Sequence, residues 1–380
     1  MTIPSIKACR TCLAVGVLAL AGRAAAEPPP RREFLTGGDI SMLARIEKLG
    51  GVFRQDGKTG DALKILADHG CNCFRLRLFV KPSGKNAVIN DLPYTLALAK
   101  RIRQARATLL LNFHYSDTWA DPGHQTKPAD WADLPFDALE KRVETYTASV
   151  IAQFAKHRAL PDIVQIGNEI TPGMLWPDGK LSGTAAQWDR FARLLKAGIR
   201  GARKPPAGRE VPRIMIHIHC GGSARKTRWF FDNLKQRNVP FDVIGLSYYP
   251  WWHGPLDRLK ENLAETAKTY RKDIIVVETA YPYRDEKRMK ARPNMAWPIS
   301  PAGQQAFLAD VVTAVRQAPG GRGRGVLWWY PESIPVKSLR VWNRSATALF
   351  DLTGSALPAM RAFGPPRNPP TPRGADPGGT

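Results

Sequence analysis

Residues 163–177, IVQIGNEITPGMLWP, decide the fold. Ile163, Val164 and Ile166 are strand formers in an apolar run. The run stops at Asn168 and Glu169, and Thr171-Pro172-Gly173 then breaks the chain. An ionisable carboxylate at the mouth of an apolar strand needs a reason and a partner. Residues 274–283, IIVVETAYPY, repeat the pattern: four apolar residues run into Glu278, and Pro282 ends the segment.

Similar runs recur along the chain. Strands are expected at 34–40, 73–80, 108–114, 163–168, 214–219, 243–248, 274–278 and 325–329. Continuous apolar runs suit strands buried on both faces, as in a parallel sheet. Segments with helical spacing lie between them, at 62–66, 94–102, 139–154, 188–199, 229–234, 256–270 and 304–315. Regular alternation of strand and helix gives an α/β class, and the chain has the size of a single (β/α)8 TIM barrel. A doubly wound open sheet fits less well, because the first strand is followed by GGDIS and not by a G-x-G-x-x-G nucleotide loop.

In such barrels active sites sit at the C-terminal strand ends. There the sequence places Asp39, Arg75, Arg77, His114, Asn168, Glu169, His217, His219, Tyr248, Tyr249, Glu278, Trp328 and Trp329. Glu169 and Glu278 fall on the fourth and seventh strands, whose ends face each other obliquely across the mouth. Paired carboxylates in a cleft suit glycoside hydrolysis, with one protonated to serve the leaving oxygen and the other ionised. Asn168 is placed to bind a sugar 2-hydroxyl, and Arg75 to hold Glu278 ionised. YYPWW (248–252) and WWYP (328–331) offer flat apolar faces to sugar rings, although neighbouring Trp328 and Trp329 must point to opposite sides. Two rivals remain: a metal-dependent barrel hydrolase using His114, His217 and His219, for which the seventh and eighth strands supply no further Asp or His, and a sugar-binding barrel without chemistry.

The two chain ends read differently. Residues 1–26 carry Lys7 and Arg10, a short apolar stretch and Ala24-Ala25-Ala26, the pattern of a secretory signal cut after Ala26. Residues 364–380 are mostly Pro, Gly and polar and have too little apolar surface to fold. The catalytic domain is therefore expected at 27–363, in a monomer secreted or exported to a periplasm. Membrane attachment is not expected once the signal is removed. The net charge of +23 falls to +20 once Lys7, Arg10 and Arg23 leave with the signal. The cations are scattered, so no nucleic acid partner is expected and solvated faces explain most of them. Cys71, Cys73 and Cys220 are an odd set, read as small buried residues with no zinc spacing.

The motifs GGDIS, FRLRLFV, FHYSDTWADPGHQTKPADW, IGNEITPGMLWP, SYYP, VVETAYPY, GQQAFL and ALFDLTGSALPAM span nearly all of 27–363. Together they make the sequence resemble glycoside hydrolase family 53, the arabinogalactan endo-β-1,4-galactanases. The resemblance implies endo-hydrolysis of β-1,4-galactan, a side chain of pectin, with retention of configuration. The fold would be a barrel of the large retaining clan, where a relative with another β-glycan substrate is the alternative. Glu169 would be the acid/base, Glu278 the nucleophile and Arg75 its support. Asn168 would take the 2-hydroxyl, while Asp39, His114, His217, Tyr248 and Trp329 would line the central subsites. His219, Tyr281 and Tyr330 depart from the family's frequent Asp, Trp and Glu. Some relatives carry calcium after the seventh and eighth strands. Residues 284–300 offer few oxygen ligands here, and neither cofactor nor metal is expected.

Overall fold

The structure, a computed structural model, describes residues 1–2, 33–290 and 292–364. The secretory signal and the Pro/Gly-rich tail fall almost wholly outside the described residues.

Eight parallel strands close into a barrel: β1 (Leu35–Asp39), β2 (Cys73–Leu78), β3 (Thr108–Phe113), β4 (Ile163–Ile166), β5 (Arg213–Ile218), β6 (Val243–Tyr248), β7 (Asp273–Thr279) and β8 (Gly323–Trp329). Each pairs with its neighbours in sequence, and β8 returns to β1 with Asp39 opposite Trp329. The helices α1 (Ala62–Asp68), α2 (Leu92–Gln104), α3 (Phe136–Lys156), α4 (Ala185–Ala202), α5 (Ala224–Gln236), α6 (Leu256–Tyr270) and α7 (Pro301–Arg316) lie between successive strands. After β8 a 3₁₀ turn, Pro358–Phe363, packs on α7. Side-chain oxygens start several helices: Asp61, Asp91, Ser223 and Ser300 each accept a first-turn N–H. Thr184 and Gln187 form a full capping box on α4.

Alternation along the strands sorts the core into two parts. Leu35, Cys73, Leu110, Ile163, Met215, Val243, Ile275, Val277 and Leu327 fill the barrel's lower interior. The opposite strand faces pack on the helices in a second, larger core. Cys71 lies in that outer core and Cys73 in the barrel, so the two buried thiols belong to different layers.

Above the apolar plug the interior turns polar. Arg75, Asn112, Gln165 and His217 are all fully buried on inward positions. Such groups are tolerated only when hydrogen-bonded to one another.

Two local departures set the rim. β4 stops at Ile166, two residues before the expected end, because Gly167 (φ 77°) and Glu169 (φ 49°) both adopt left-handed backbone. A Cβ on Gly167 would meet Ile170 Cγ2 at 2.5 Å. The second departure is in β7. Leu246 pairs with Val276 but Ser247 pairs with Glu278, so Val277 is an extra residue. Strict alternation from Ile275 and Val277 would turn Glu278 out to the helices. The bulge turns it back toward the barrel mouth beside the inward-facing Ser247.

Candidate active site

Arg75 is the hub of the rim. Its side chain is fully buried, and Nη1 lies 2.7 Å from Glu278 Oε1 and 3.4 Å from Asp39 Oδ2. Nη2 donates to Asn168 Oδ1 at 2.6 Å and Nε to Gln165 Oε1 at 3.2 Å. A buried guanidinium costs several kcal/mol to desolvate, on the order of the loss when a partner is removed, so its donors must be used, as they are here. The face of Trp329 lies 5.6 Å from the same guanidinium. Trp328, on the other strand face, gives its N–H to Thr347 within the fold.

Glu278 Oε2 accepts a hydrogen bond from the Tyr249 hydroxyl at 3.1 Å. Glu169 Oε1 accepts from Ser247 Oγ at 2.6 Å. His217 Nε2 lies 2.9 Å from the same Oγ, and its Nδ1 faces the Gln165 amide nitrogen at 3.0 Å. Ser247 therefore relays between His217 and Glu169. Burial and the nearby Arg75 charge hold His217 well below the usual imidazole range, and so neutral. His114 is neutral for the same reasons, burial first. Its Nδ1 accepts the Ala120 N–H at 3.0 Å, leaving Nε2 to carry the proton. Asn168 gives one amide proton to Ala120 O at 2.8 Å and has a second to offer.

The two carboxyls sit in different fields. Burial, with the negative charge of Glu278 beside it, pushes Glu169 up to about 8, against only the Ser247 bond and the more distant Arg75. Burial also raises Glu278, but the Arg75 ion pair and the Tyr249 hydroxyl pull it back. Of the two, Glu169 holds the proton near neutrality and Glu278 the charge. Ser247→Ala is expected to raise the Glu169 pKa, since the lost bond favours the ionised form. The alkaline limb of the pH–rate profile then moves upward, and an unmoved limb would sever the link between Ser247 and Glu169.

A cavity of 630 Å³ holds both glutamates, walled by Tyr249, Trp252, Trp342, His219 and His253. A second, of 560 Å³, adjoins it through Asp121, Trp252 and Trp342 and carries Trp119 and Tyr330. A third meets the first at Pro122, His219 and Lys226 and ends at Trp229. The mouth is thus a groove running past the carboxyls on both sides.

Residues 35–363 match the model of Glycosyl hydrolase family 53. The chain belongs to this family. It is 41% identical to an "Uncharacterized protein in bgaB 5'region" of Niallia circulans, over 87% of this chain and 93% of that one. It is 32% identical to an arabinogalactan endo-beta-1,4-galactanase of Cellvibrio japonicus, over 92% and 95%. The GH53 catalytic domain of Ignisphaera aggregans superposes with a TM-score of 0.81 at 33% identity, covering 87% of this chain and 95% of that one. This family 53 protein is a glycoside hydrolase.

The barrel brings Asp39, Arg75, His114, Asn168, Glu169, His217, Glu278 and Trp329 to one rim. Tyr248 is not among them, which corrects the sequence assignment. The inward residues of β6 are Val243, Gly245 and Ser247, so Tyr248 points to the helix layer. There it stacks on Phe307 at 6.4 Å and its hydroxyl donates to Gly254 O at 3.0 Å. Tyr249, next on the inward parity, occupies the place at Glu278. Counting in twos from Val243 finds it and Ser247 without a structure.

The metal reading of His114, His217 and His219 loses its ligand set. Both His217 nitrogens are engaged by protein groups, and among the described residues no three His, Cys, Asp or Glu side chains are arranged to hold a metal. Of the three departures, His219 lines the groove and Tyr330 lies 5.1 Å from the Arg77 guanidinium. Tyr281 packs on Phe307 at 4.8 Å, away from the groove.

The carboxyl absent at position 330 appears two residues on. Glu332 is fully buried, and its Oε1 accepts the Met42 N–H at 3.0 Å. Burial, then the Asp39 charge, push it up to about 8 from an ordinary 4.5. The folded state thus keeps a proton that the unfolded chain gives up. This stability is full below pH 4.5 and is lost as pH rises toward 8. Glu332→Gln keeps the Met42 bond and removes the titration. Its melting temperature should gain on wild type between pH 5.5 and 8.5 by the equivalent of about 1–3 kcal/mol, and an equal difference at both pH values would refute the buried proton.

Proposed function

We propose that the protein cleaves β-1,4-linked galactan within the chain, with retention, by double displacement. The ionised Glu278 attacks the anomeric carbon while Glu169 gives its proton to the departing glycosidic oxygen. The C–O bond to the leaving chain breaks and a glycosyl ester forms on Glu278. Glu169, now a carboxylate, takes a proton from water as the water oxygen attacks the anomeric carbon and releases Glu278. The observation that carries this reading is the unequal field on the two carboxyls, with Arg75 paired to Glu278 alone.

Asn168 would offer its remaining amide proton to the 2-hydroxyl, and Trp329 a face to the sugar. Asp39, His114 and His217 would set the polar floor of the central subsite. The endo character is supported by a groove open on both sides. The galactan substrate is supported by the likeness to the arabinogalactan endo-beta-1,4-galactanase of Cellvibrio japonicus.

We also take residues 1–26 as an export signal and 27–363 as the mature catalytic domain of a secreted or periplasmic monomer. No helix among the described residues is long and apolar enough to cross a membrane.

The test is a reducing-sugar assay on β-1,4-galactan, β-1,3-galactan, mannan and xylan, with NMR of the first-formed anomer. Release of β-configured ends from β-1,4-galactan alone is expected. α-Configured ends would overturn the double displacement, and preference for another polymer would overturn the substrate.

A further inference from the structure

The cations of this protein are not used alike around the barrel. On the helix layer they are mostly paired. Arg193 meets Asp137 and Glu140 at 2.6 Å, Arg200 meets Glu144 at 2.8 Å, and Arg228 meets Glu265 at 2.7 Å. Along the groove the pattern reverses. Arg225, Lys226, Arg258 and Arg340 line its three adjoining cavities. None of their side chains has a carboxylate within ion-pair distance among the described residues, and the first three occupy one flank, on α5 and α6. The groove's own acids are Glu169 and Glu278 at its centre and Asp121, which accepts the Gly123 N–H and faces His124 at 2.9 Å. Beyond the catalytic pair the groove therefore sets these four cations against the single carboxylate of Asp121, beside the half-exposed faces of Trp229 (43%) and Trp252 (53%).

A neutral hexose chain makes no use of such charge. Aromatic platforms flanked by unpaired cations fit a carbohydrate that carries carboxylates. We propose that the groove recognises galactan joined to or bearing uronic acid residues, with Arg225, Lys226, Arg258 and Arg340 reading the carboxylates on either side of the cleaved segment. The proposal rests on the galactanase reading above and adds the charge of the polymer. Exposed pairs contribute little each, so the effect is a collective field that concentrates the anionic chain in the groove and is screened by salt.

The experiment compares β-1,4-galactan with the same polymer after sparse oxidation of its C6 hydroxymethyl groups to carboxylates. Wild type and the fourfold variant Arg225→Gln, Lys226→Gln, Arg258→Gln, Arg340→Gln are assayed at 20 mM and 500 mM NaCl (about a fivefold change in Debye length). Wild type should show a KM for the carboxylated polymer lower on the order of tenfold at low salt. High salt and the variant should each erase that preference, while the variant still cleaves the neutral polymer. Equal KM values for the two polymers, or a preference that survives both salt and the substitutions, would overturn the proposal. Affinity electrophoresis of both polymers with Glu278→Ala makes the same comparison without cleavage. A wrong substrate assignment shows as no cleavage of neutral galactan, whereas a wrong charge assignment shows as cleavage without preference.

Discussion

Glu278→Ala is expected to lose on the order of 10⁵-fold in kcat on β-1,4-galactan, with KM little changed. Glu278 is the one carboxyl of the pair held by a guanidinium, at 2.7 Å, and by a phenol, at 3.1 Å. Removing it takes away the attacking oxygen and leaves Arg75 with only Asp39, at 3.4 Å, to balance its charge where the oxocarbenium-like centre must form. No second carboxylate is free to attack in its place: Asp39 is paired with Arg75 and Arg77, and Glu169 is the proton carrier. The substitution removes no apolar packing from the strand, since the residue is opposite Ser247 at the bulge. A folded variant with more than a hundredth of wild-type kcat would rule out the double displacement.

Glu169→Ala is expected to behave differently by substrate. On galactan the loss should be about 10³-fold to 10⁴-fold, the range that general acid catalysis supplies. On a dinitrophenyl galactoside the first step needs no proton, so the burst of phenolate should remain near wild type while turnover stalls on the glycosyl ester. Azide, small enough for the space left by the side chain, should then restore turnover and yield the β-galactosyl azide. The geometry behind this is the Ser247 bond and the about-8 pKa of Glu169, both properties of a group that gives up a proton and takes it back near neutrality. An equal loss on both substrates, or an α-azide, would remove Glu169 from the acid/base position.

What could be read without a structure was decided by where apolar runs stop. The eight strands were legible because burial on both faces leaves little freedom in composition. Glu169, Glu278 and their neighbours were legible because each ends a run. The assignment of Tyr248 failed because it used strand ends and ignored the side-chain period: one step along β6 exchanges the groove for the helix layer. Other features had no local signal. Gln165 and Asn112 look like interruptions of apolar strands, and only the closed barrel shows them to be the floor beneath Asn168. Trp119 lies in a loop, and its ring 4.3 Å from the Arg77 guanidinium depends on a contact between distant segments. The unpaired state of the groove's cations was also hidden, because a count of charges does not say which ones have partners.

The extra residue in β7 makes the active site a question of parity. In a barrel whose strands alternate strictly, each position is odd or even, and only one class sees the substrate. Val277 adds one to the count, and Glu278 changes class because of it. Straightening β7 with Val277 kept in the ladder would leave every catalytic side chain in the sequence and still send the nucleophile into the outer core. A designer copying this site to an idealised barrel would have to transplant the miscount along with the residues.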